Sequence, residues 1–324
     1  MARIVLGLGT SHSPQLSIPP EGWLQRGEED HRNPWLYRPG VGTHMTYDEL
    51  AAVADPEIKK QLTPEIFQRR HEQNQLGLKK VADALEEADP DILVVVGDDQ
   101  KEVFQDDNMP MFGVFWGETI PYFPRPRNVG TQQLTSWAYP TEPKQYPGHP
   151  ELALEIIDSM CEQGFDVAHS KYYREGQSIA HAIHFVHARI MRKMVPVVCI
   201  PQNTYFPPNQ PRPKRSTDFG FALRNAIEGW KSNARVAVVA SGGLSHFTVD
   251  EDIDQRCLKA MKEMDTDAIA KLPLELLNSG TSEVRNWFTV MGACHHLDFE
   301  LFDYVPCYRS EAGTGCAMAF ARWA

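Results

Sequence analysis

The sequence predicts an α/β fold in one domain, with a central mixed sheet flanked by helices. Short apolar runs of strand length alternate with longer amphipathic stretches of helix length, which is the pattern of α/β proteins. A chain of 324 residues can also bury roughly 75% of its extended-chain surface. It therefore needs neither disulfides nor a metal ion merely to fold.

Six segments are predicted to be strands because each is a short apolar run bounded by polar or turn-forming residues. These strands lie at residues 4–8, 91–96, 111–116, 195–200, 235–240 and 316–320. Six longer segments are predicted to be helices from their length and apolar spacing. These helices lie at residues 64–87, 151–163, 178–193, 217–231, 251–264 and 282–291.

Two segments look inserted into this alternation, one near residues 18–80 and one near residues 119–149. Residues 18–63 are rich in Pro, Gly, Trp and charge without sustained periodicity, which is typical of a lid or an interface. The many prolines and aromatics of the second segment predict an ordered irregular loop. Neither segment marks a domain boundary, so we expect one catalytic domain over residues 1–324.

The acidic composition excludes some classes of partner. A net charge of −11 argues against a nucleic-acid-binding surface, which needs clustered Lys and Arg. A local basic patch at Arg212, Lys214 and Arg215 suits either a solvated loop or a small anionic substrate. No apolar stretch approaches the ~20 residues that span a membrane. Six cysteines without a CxxC pair fit buried thiols in a reducing compartment, so we expect a cytoplasmic protein.

Polar side chains gather where the predicted strands end. In open α/β sheets ligands bind beyond the carboxyl ends of the strands, so these side chains are candidates for a site. They are His12 after the first strand, Asp98, Asp99 and Gln100 after the second, Asn203 and Tyr205 after residues 195–200, and His246 after residues 235–240. Imidazoles, carboxylates and amides thus converge on one edge of the sheet.

Single residues in this group have competing explanations. His12 suits iron, zinc or copper, although a lone histidine is more often a hydrogen-bonded structural residue. Gly7 and Gly9 do not make a dinucleotide-binding motif, because His12 stands where GxGxxG requires Gly. His246 is a candidate general acid or base, since an unperturbed histidine titrates near about pH 6.5. Ser245 lacks the G-x-S-x-G context, which disfavours a serine hydrolase.

Two helices carry further candidates. Glu283 opens a predicted helix, where a first-turn glutamate is ordinarily explained by the helix dipole. His181, His184 and His187 recur every three residues and lie within one broad helical face. They could form a metal site, but for His184 and His187 a partly exposed polar face is the simpler explanation.

Six segments taken in order resemble the class III extradiol dioxygenases, the superfamily of the protocatechuate 4,5-dioxygenase catalytic subunit. The segments are MARIVLGLGTSHSP, ILVVVGDDQKEVF, PQNTYFPPNQPRPKR, VASGGLSH, SEVRNWFTVMGA and EAGTGCAMAF. They span most of the chain, and the ordered set is much more specific than any single motif. Within the superfamily the chain looks most similar to the gallate and 3-O-methylgallate dioxygenase branch.

The resemblance implies a non-haem Fe(II) centre bound by two histidines and one glutamate. The first ligand histidine corresponds to His12, and the glutamate to Glu283, four residues before Trp287. The family's acid/base histidine corresponds to His246. It would exchange protons with the substrate while the iron carries the oxygen chemistry.

The chain departs from the family at the second ligand histidine, where Gln100 stands. Glutamine can bind a metal through its amide oxygen, but that oxygen is a weaker and harder donor than imidazole. Gln100 is therefore a metal-ligand candidate by position alone, and loss of the metal is also possible. Other candidates for this ligand are Asp98, Asp99, His44, His71 and His181.

The activity that the resemblance implies is extradiol cleavage of a catechol-type ring by O2, with a carboxylated or methoxylated, gallate-like substrate. His181 joins His246 as a candidate catalytic residue. Asn203 and Tyr205 are candidates for the substrate pocket, and Arg215 could hold a substrate carboxylate in bidentate fashion. We expect a homo-oligomer with no nucleic-acid or membrane partner.

Two alternatives remain open from the sequence. Gln100 motivates a catalytically silent homologue of the same fold that binds an aromatic ligand or a partner subunit. A zinc-dependent hydrolase could use His12 and Glu283 to activate water, although there is no HExxH motif.

Overall fold

The apolar runs of the sequence become the inner strands of a mixed sheet. The computed structural model describes residues 1–124, 142–174 and 177–324. Its strands are β1 (Arg3–Thr10), β2 (Ile92–Asp98), β3 (Gly113–Phe115), β4 (Thr119–Tyr122), β5 (Lys144–Pro147), β6 (Ala168–Ser170), β7 (Val197–Gln202), β8 (Arg235–Ser241), β9 (His246–Thr248), β10 (Phe299–Tyr308) and β11 (Thr314–Trp323). Nine of these described strands form one sheet in the order β10-β11-β1-β8-β2-β7-β3-β6, with β9 paired to β11. The other two, β4 and β5, pair with each other.

The centre of the sheet is parallel, because β1 pairs with β8, β8 with β2, and β2 with β7, all in the same direction. Every residue of β2 is buried, as expected of a strand covered on both faces. Ile92, Val94 and Val96 belong to one apolar cluster, and Leu93 and Val95 belong to another. The carboxyl ends of four parallel strands therefore meet at one edge of the sheet.

Helices cover both faces of the sheet. The helices in the described ranges are α1 (Trp23–Glu29), α2 (Tyr47–Val53), α3 (Pro64–Ala88), α4 (Pro150–Glu162), α5 (His181–Phe185), α6 (Pro213–Gly229), α7 (Glu251–Lys262), α8 (Thr266–Ala270) and α9 (Val284–Ala293). One face packs against α4, α6 and α9, which contribute Leu152, Phe219 and Trp287. The other packs against α3 and α5, which contribute Val81 and Ile183. Among all the helices described, none is both long and apolar enough to cross a membrane.

The predicted α/β class with a central mixed sheet is confirmed, and each of the six predicted strands overlaps an observed strand. The helix predicted at residues 178–193 is wrong in extent. The α-helix there covers only His181–Phe185, and a π-helical turn at Val186–Ile190 follows it. The helix predicted at residues 282–291 is preceded by a 3-10 turn at Ser279–Glu283 and begins at Val284.

The first inserted segment packs onto the domain through buried polar contacts. Arg309 donates two hydrogen bonds to the carboxylate of Asp30, at 2.7 and 2.9 Å, and one to Gln15 at 3.0 Å. The hydroxyl of Ser279 donates to the backbone carbonyl of Trp35 at 2.8 Å. A buried charged pair is stable only when it is well hydrogen-bonded, as the pair of Arg309 and Asp30 is. These contacts hold the segment against the end of β10 and the turn before α9.

The second inserted segment was predicted to be an irregular loop. Its two ends are instead short strands, β4 and β5, paired antiparallel with Ile120 opposite Tyr146. The middle of the predicted loop, residues 125–141, lies outside the described residues.

Candidate active site

The site lies at the carboxyl edge of the parallel strands, where four loops and two helix starts meet. His12 follows β1, Asp98 ends β2, and Ser241 ends β8. His12 Nδ1 lies 3.1 Å from the hydroxyl of Ser241, which leaves Nε2 directed into the site. His12 is 4% exposed. Burial lowers the pKa of His12 to about 3, although Glu283 opposes that shift, so this imidazole is neutral and able to donate a lone pair.

The fold brings His12 and Glu283 together across the sequence. His12 Nε2 lies 3.6 Å from Glu283 Oε2, and both side chains are buried. Glu283 ends the 3-10 turn before α9, and its side chain makes no capping hydrogen bond. Its carboxylate therefore contacts groups of the site and does not cap the backbone of α9.

Both oxygens of Glu283 accept hydrogen bonds. The backbone N–H of Gly243 donates to Oε2 at 2.7 Å, and the hydroxyl of Tyr205 donates to Oε1 at 2.7 Å. Burial alone would raise the pKa of Glu283, but His246 and His12 reverse this, so the pKa lies well below its usual range. Glu283 is therefore an ionised carboxylate in a buried site.

His246, the first residue of β9, faces the same carboxylate. Its Nδ1 lies 2.9 Å from the carbonyl of Leu244, to which it donates, and Nε2 lies 3.2 Å from Glu283 Oε1 and 3.3 Å from the Tyr205 hydroxyl. Burial by itself would lower the pKa of His246, but Glu283 raises it well above its usual value. The Nε2 position can hold a proton between Glu283 and the hydroxyl of Tyr205.

Gln100 lies among these groups as a hydrogen-bond donor. Its Nε2 donates to Asp98 Oδ2 at 3.0 Å and to Glu283 Oε1 at 3.3 Å. Asp98 is fully buried, and its Oδ1 also lies 3.4 Å from the amide nitrogen of Asn286. Burial, with Glu283 adding to it, raises the pKa of Asp98 to about 8.

His181 reaches the site from the start of α5. Its ring centre lies 4.9 Å from that of His12, edge to face. Glu102 Oε1 accepts from both the backbone N–H of His181 at 3.1 Å and its Nδ1 at 2.6 Å. Burial opposes protonation, but Glu102 outweighs it and raises the pKa of His181 to about 9. Glu102 was not among the residues predicted from the sequence, although it follows β2 in the same turn as Gln100.

The donor set suits a transition metal. One possible ligand atom from each of His12, Asp98 and His181 lies within 4.8 Å of the other two, and all three residues are buried. Two imidazoles and one carboxylate are the ligand types of non-haem Fe(II) oxygenases. The residues present therefore fit an iron ion.

A family comparison agrees with this chemistry. The profile described as the catalytic LigB subunit of aromatic ring-opening dioxygenase matches residues 52–304. The chain belongs to this family. A search of curated proteins finds no match. The LigB match covers β2 and β8 as well as Glu283, so the loops that build the site lie within the matched region, apart from the turn that carries His12.

Two predicted substrate-binding residues of this LigB-family chain have their polar groups engaged elsewhere. The side chain of Asn203 closes its own loop, accepting from the N–H of Phe206 at 2.9 Å and donating to the carbonyl of that residue at 2.7 Å. The guanidinium of Arg215 lies 3.8 Å from the ring centre of Phe165 and donates to the carbonyl of Gly164. These contacts do not involve His12 or Glu283, whereas the hydroxyl of Tyr205 contacts both Glu283 and His246.

The other two residues of the predicted basic patch lie at the start of α6. Lys214 pairs with Asp218 at 2.7 Å along α6. Arg212 immediately precedes α6 as its N-cap residue and is exposed.

Three of the other residues that the sequence offered as a third metal ligand are exposed or have another structural role. His44 is exposed and lies 2.9 Å from the carbonyl of Pro34. His71 packs edge-on to Trp23 under α1. Asp99 accepts the backbone N–H groups that follow it, at 2.9 and 3.1 Å, so it shapes the turn after β2. Burial and Glu102 raise the pKa of Asp99 to about 7.

The inserted segment near residues 18–80 forms a wall beside His246. A pocket is lined by Trp35, Tyr37 and Arg38 from this segment, and by His246 and Phe247 from the sheet side. Trp35, Tyr37 and Arg38 therefore line the space next to His246.

Proposed function

We propose that this chain cleaves catechol-type aromatic rings in the extradiol manner, using O2 and one Fe(II). The observation that carries the proposal is the convergence of His12, His246 and Glu283, which are far apart in sequence, on one buried point. Membership in the aromatic ring-opening dioxygenase family supports the reaction class.

His12 and Glu283 would hold the metal ion, and the third ligand would come from Gln100, which the sequence places there, or from Asp98 or His181, which lie beside His12. When bound, Fe(II) would supply the chelation of two adjacent ring oxygens and the activation of O2. His12 is suited to this role because Ser241 orients its ring. Glu283 is suited to it because it is ionised within a buried site.

His246 would move the substrate proton. Its Nδ1 is fixed by the Leu244 carbonyl, so Nε2 is the atom that exchanges protons. Tyr205 lies 3.3 Å from that atom and can hydrogen-bond a substrate hydroxyl or the proton-bearing imidazole. A well-placed acid/base group of this kind contributes on the order of 10²- to 10⁴-fold to turnover.

The substrate class follows the sequence resemblance: a carboxylated or methoxylated, gallate-like catechol. Tyr205 is the substrate-binding candidate that the geometry supports. Asn203 and Arg215 stay predictions from sequence, as do the homo-oligomeric state and the cytoplasmic location. The six cysteines, all free, support a reducing compartment.

The decisive experiment separates metal binding from proton transfer. Protein reconstituted anaerobically with Fe(II) is assayed for iron content and for O2 uptake with gallate and 3-O-methylgallate. His246→Ala should keep the iron and lose turnover on the order of 10²- to 10⁴-fold, whereas Glu283→Ala should lose the iron. His31→Ala, at an exposed position on the inserted segment, is the control and should change neither quantity. Wild-type protein that binds no iron would refute the proposal.

A silent homologue is the second candidate, and one observation favours it. The Gln100 amide donates to Asp98 and to Glu283, which partly satisfies carboxylates that would otherwise need a cation. This candidate predicts aromatic binding without iron uptake and without O2 consumption. Zinc would accept the same donors, and selective restoration of chelated protein with Fe(II) or Zn(II) separates hydrolysis from ring cleavage.

A further inference from the structure

Gln100 is poorly oriented to act as a metal ligand. Its amide nitrogen points toward Asp98 Oδ2 and Glu283 Oε1. An amide nitrogen offers hydrogens and no lone pair to a metal. Turning the amide over would bring its oxygen against the ionised carboxylate of Glu283, so the hydrogen-bond network favours the orientation seen.

His181 is placed where an imidazole is missing. A ligand atom of His181 lies within 4.8 Å of ligand atoms of both His12 and Asp98. The two imidazole rings meet edge to face. His246 also contacts Glu283, and its Nε2 is engaged by Glu283 and Tyr205.

Close packing of α5 on β2 explains this placement. A Cβ on Gly97 would lie 2.7 Å from the Cβ of Ala182, a distance that real side chains do not adopt. Only glycine lets the first turn of α5 approach the end of β2 so closely. Because Ala182 follows His181 and Gly97 precedes Asp98, this contact sets the imidazole beside the carboxylate.

Glu102 fixes the orientation of the His181 ring. It accepts from Nδ1 at 2.6 Å and from the backbone N–H of the same residue at 3.1 Å, and it also accepts the N–H of Gln100 at 3.0 Å. Because Glu102 holds Nδ1, Nε2 would be the ring atom that binds the metal. Such carboxylate–histidine pairs orient many metal-bound histidines.

We propose that His181, in place of Gln100, is the second imidazole ligand of the metal centre. The inference rests on the proposed function, since it specifies how the same site holds its ion. Asp98 lies close enough to both imidazoles to add a further carboxylate, and Glu102 acts as a positioning residue through His181. This role replaces the catalytic role that the sequence suggested for His181.

The test measures metal affinity and counts coordinated imidazoles. Full-length protein, stripped with a chelator, is titrated anaerobically with Co(II) by calorimetry. Wild type should bind one ion, His181→Ala should bind at least about 100-fold more weakly, and Gln100→Ala should change affinity by no more than a few fold. Glu102→Gln should weaken binding by about 10- to 100-fold, as expected for a residue that orients a ligand.

Proton NMR of the Co(II) protein provides a readout independent of activity. Each coordinated imidazole gives one strongly shifted exchangeable N–H signal, so two such signals are expected in wild type and in Gln100→Ala, and one in His181→Ala. Circular dichroism checks folding, and His181→Gln, which keeps a similar volume, serves if the alanine variant does not fold. Unchanged affinity in His181→Ala, with loss in Gln100→Ala, would overturn the assignment but leave the proposed function standing. Wild type that binds no Co(II) or Fe(II) would refute both.

Discussion

The buried imidazoles of His184 and His187 should make the folded protein sensitive to acid. Burial lowers the pKa of His184 to about 3 and that of His187 to about 4. Histidines in the unfolded chain titrate near 6.5. As the pH falls below that value, the unfolded chain binds protons that the folded chain does not bind. The free energy of unfolding therefore falls.

The magnitude follows from the two pKa values of each histidine. Between pH 7 and pH 5, the unfolded imidazole of His184 crosses its pKa by about 1.5 units, whereas the folded imidazole stays neutral. At 1.36 kcal/mol per unit, this amounts to a loss of about 2 kcal/mol. His184→Met removes the titrating group and retains an apolar side chain that adapts to the space. Wild type should thus lose about 2 kcal/mol more than the variant over this pH interval.

The assay is urea unfolding of chelated protein at pH 5, 6, 7 and 8. Other titrating groups, including His187, contribute to both proteins and largely cancel in the comparison. From pH 7 to pH 8 His184 is essentially neutral in both the folded and the unfolded state, so wild type and variant should run parallel, which is an internal control. An equal loss in the two proteins between pH 7 and pH 5 would show that burial of this imidazole does not control its titration.

Two further changes test the packing of the site. Tyr205→Phe removes the hydroxyl that donates to Glu283 at 2.7 Å. Because hydrogen bonds to charged groups contribute about 1.5–3 kcal/mol, O2 uptake should fall by about 10-fold or more. Unchanged O2 uptake would exclude a role for this hydroxyl. Gly9→Ala places a Cβ 2.3 Å from the ring of Trp287 and should destabilise the fold by about 1–3 kcal/mol, seen as a lower Tm. In Gly229→Ala the new Cβ meets nothing within 4 Å, so an equal change in Tm in both variants would contradict the packing argument.

Much of the sheet could be predicted because its inner strands are continuous apolar runs. Because β2 is buried throughout, it is recognised as a continuous apolar run, without the alternation of apolar and polar residues that marks a half-buried strand. β10 was missed because the exposed Glu300, the half-buried Asp303 and Pro306 interrupt its apolar run. The short end of α5 could not be predicted either, since apolar spacing continues through Val186–Ile190 while the backbone changes to π-helical hydrogen bonding.

The sequence predicts which loops meet at the site. It predicts less well which side chains of those loops face one another. Parallel strands place the residues that follow them on one edge, which predicted His12 and His246. The sequence does not reveal whether a polar side chain is already satisfied by its own loop. Asn203 is satisfied in this way, and Arg215 stacks on Phe165; both facts depend on loop geometry that no local pattern encodes.

The backbone of the turn after β2 is held by neighbours of Gln100, the residue at the position where the sequence resemblance implies a ligand histidine. Asp99 accepts two backbone N–H groups within the turn, and Glu102 accepts the N–H of Gln100. The backbone of the turn is therefore held by neighbours of Gln100, and the Gln100 side chain is not needed to shape it. Because Glu102 also holds His181, the same turn keeps an imidazole in the site from a different element. If position 100 is the ligand position that the sequence resemblance implies, glutamine there is compatible with this backbone, and a proposed metal centre that uses His181 does not depend on it.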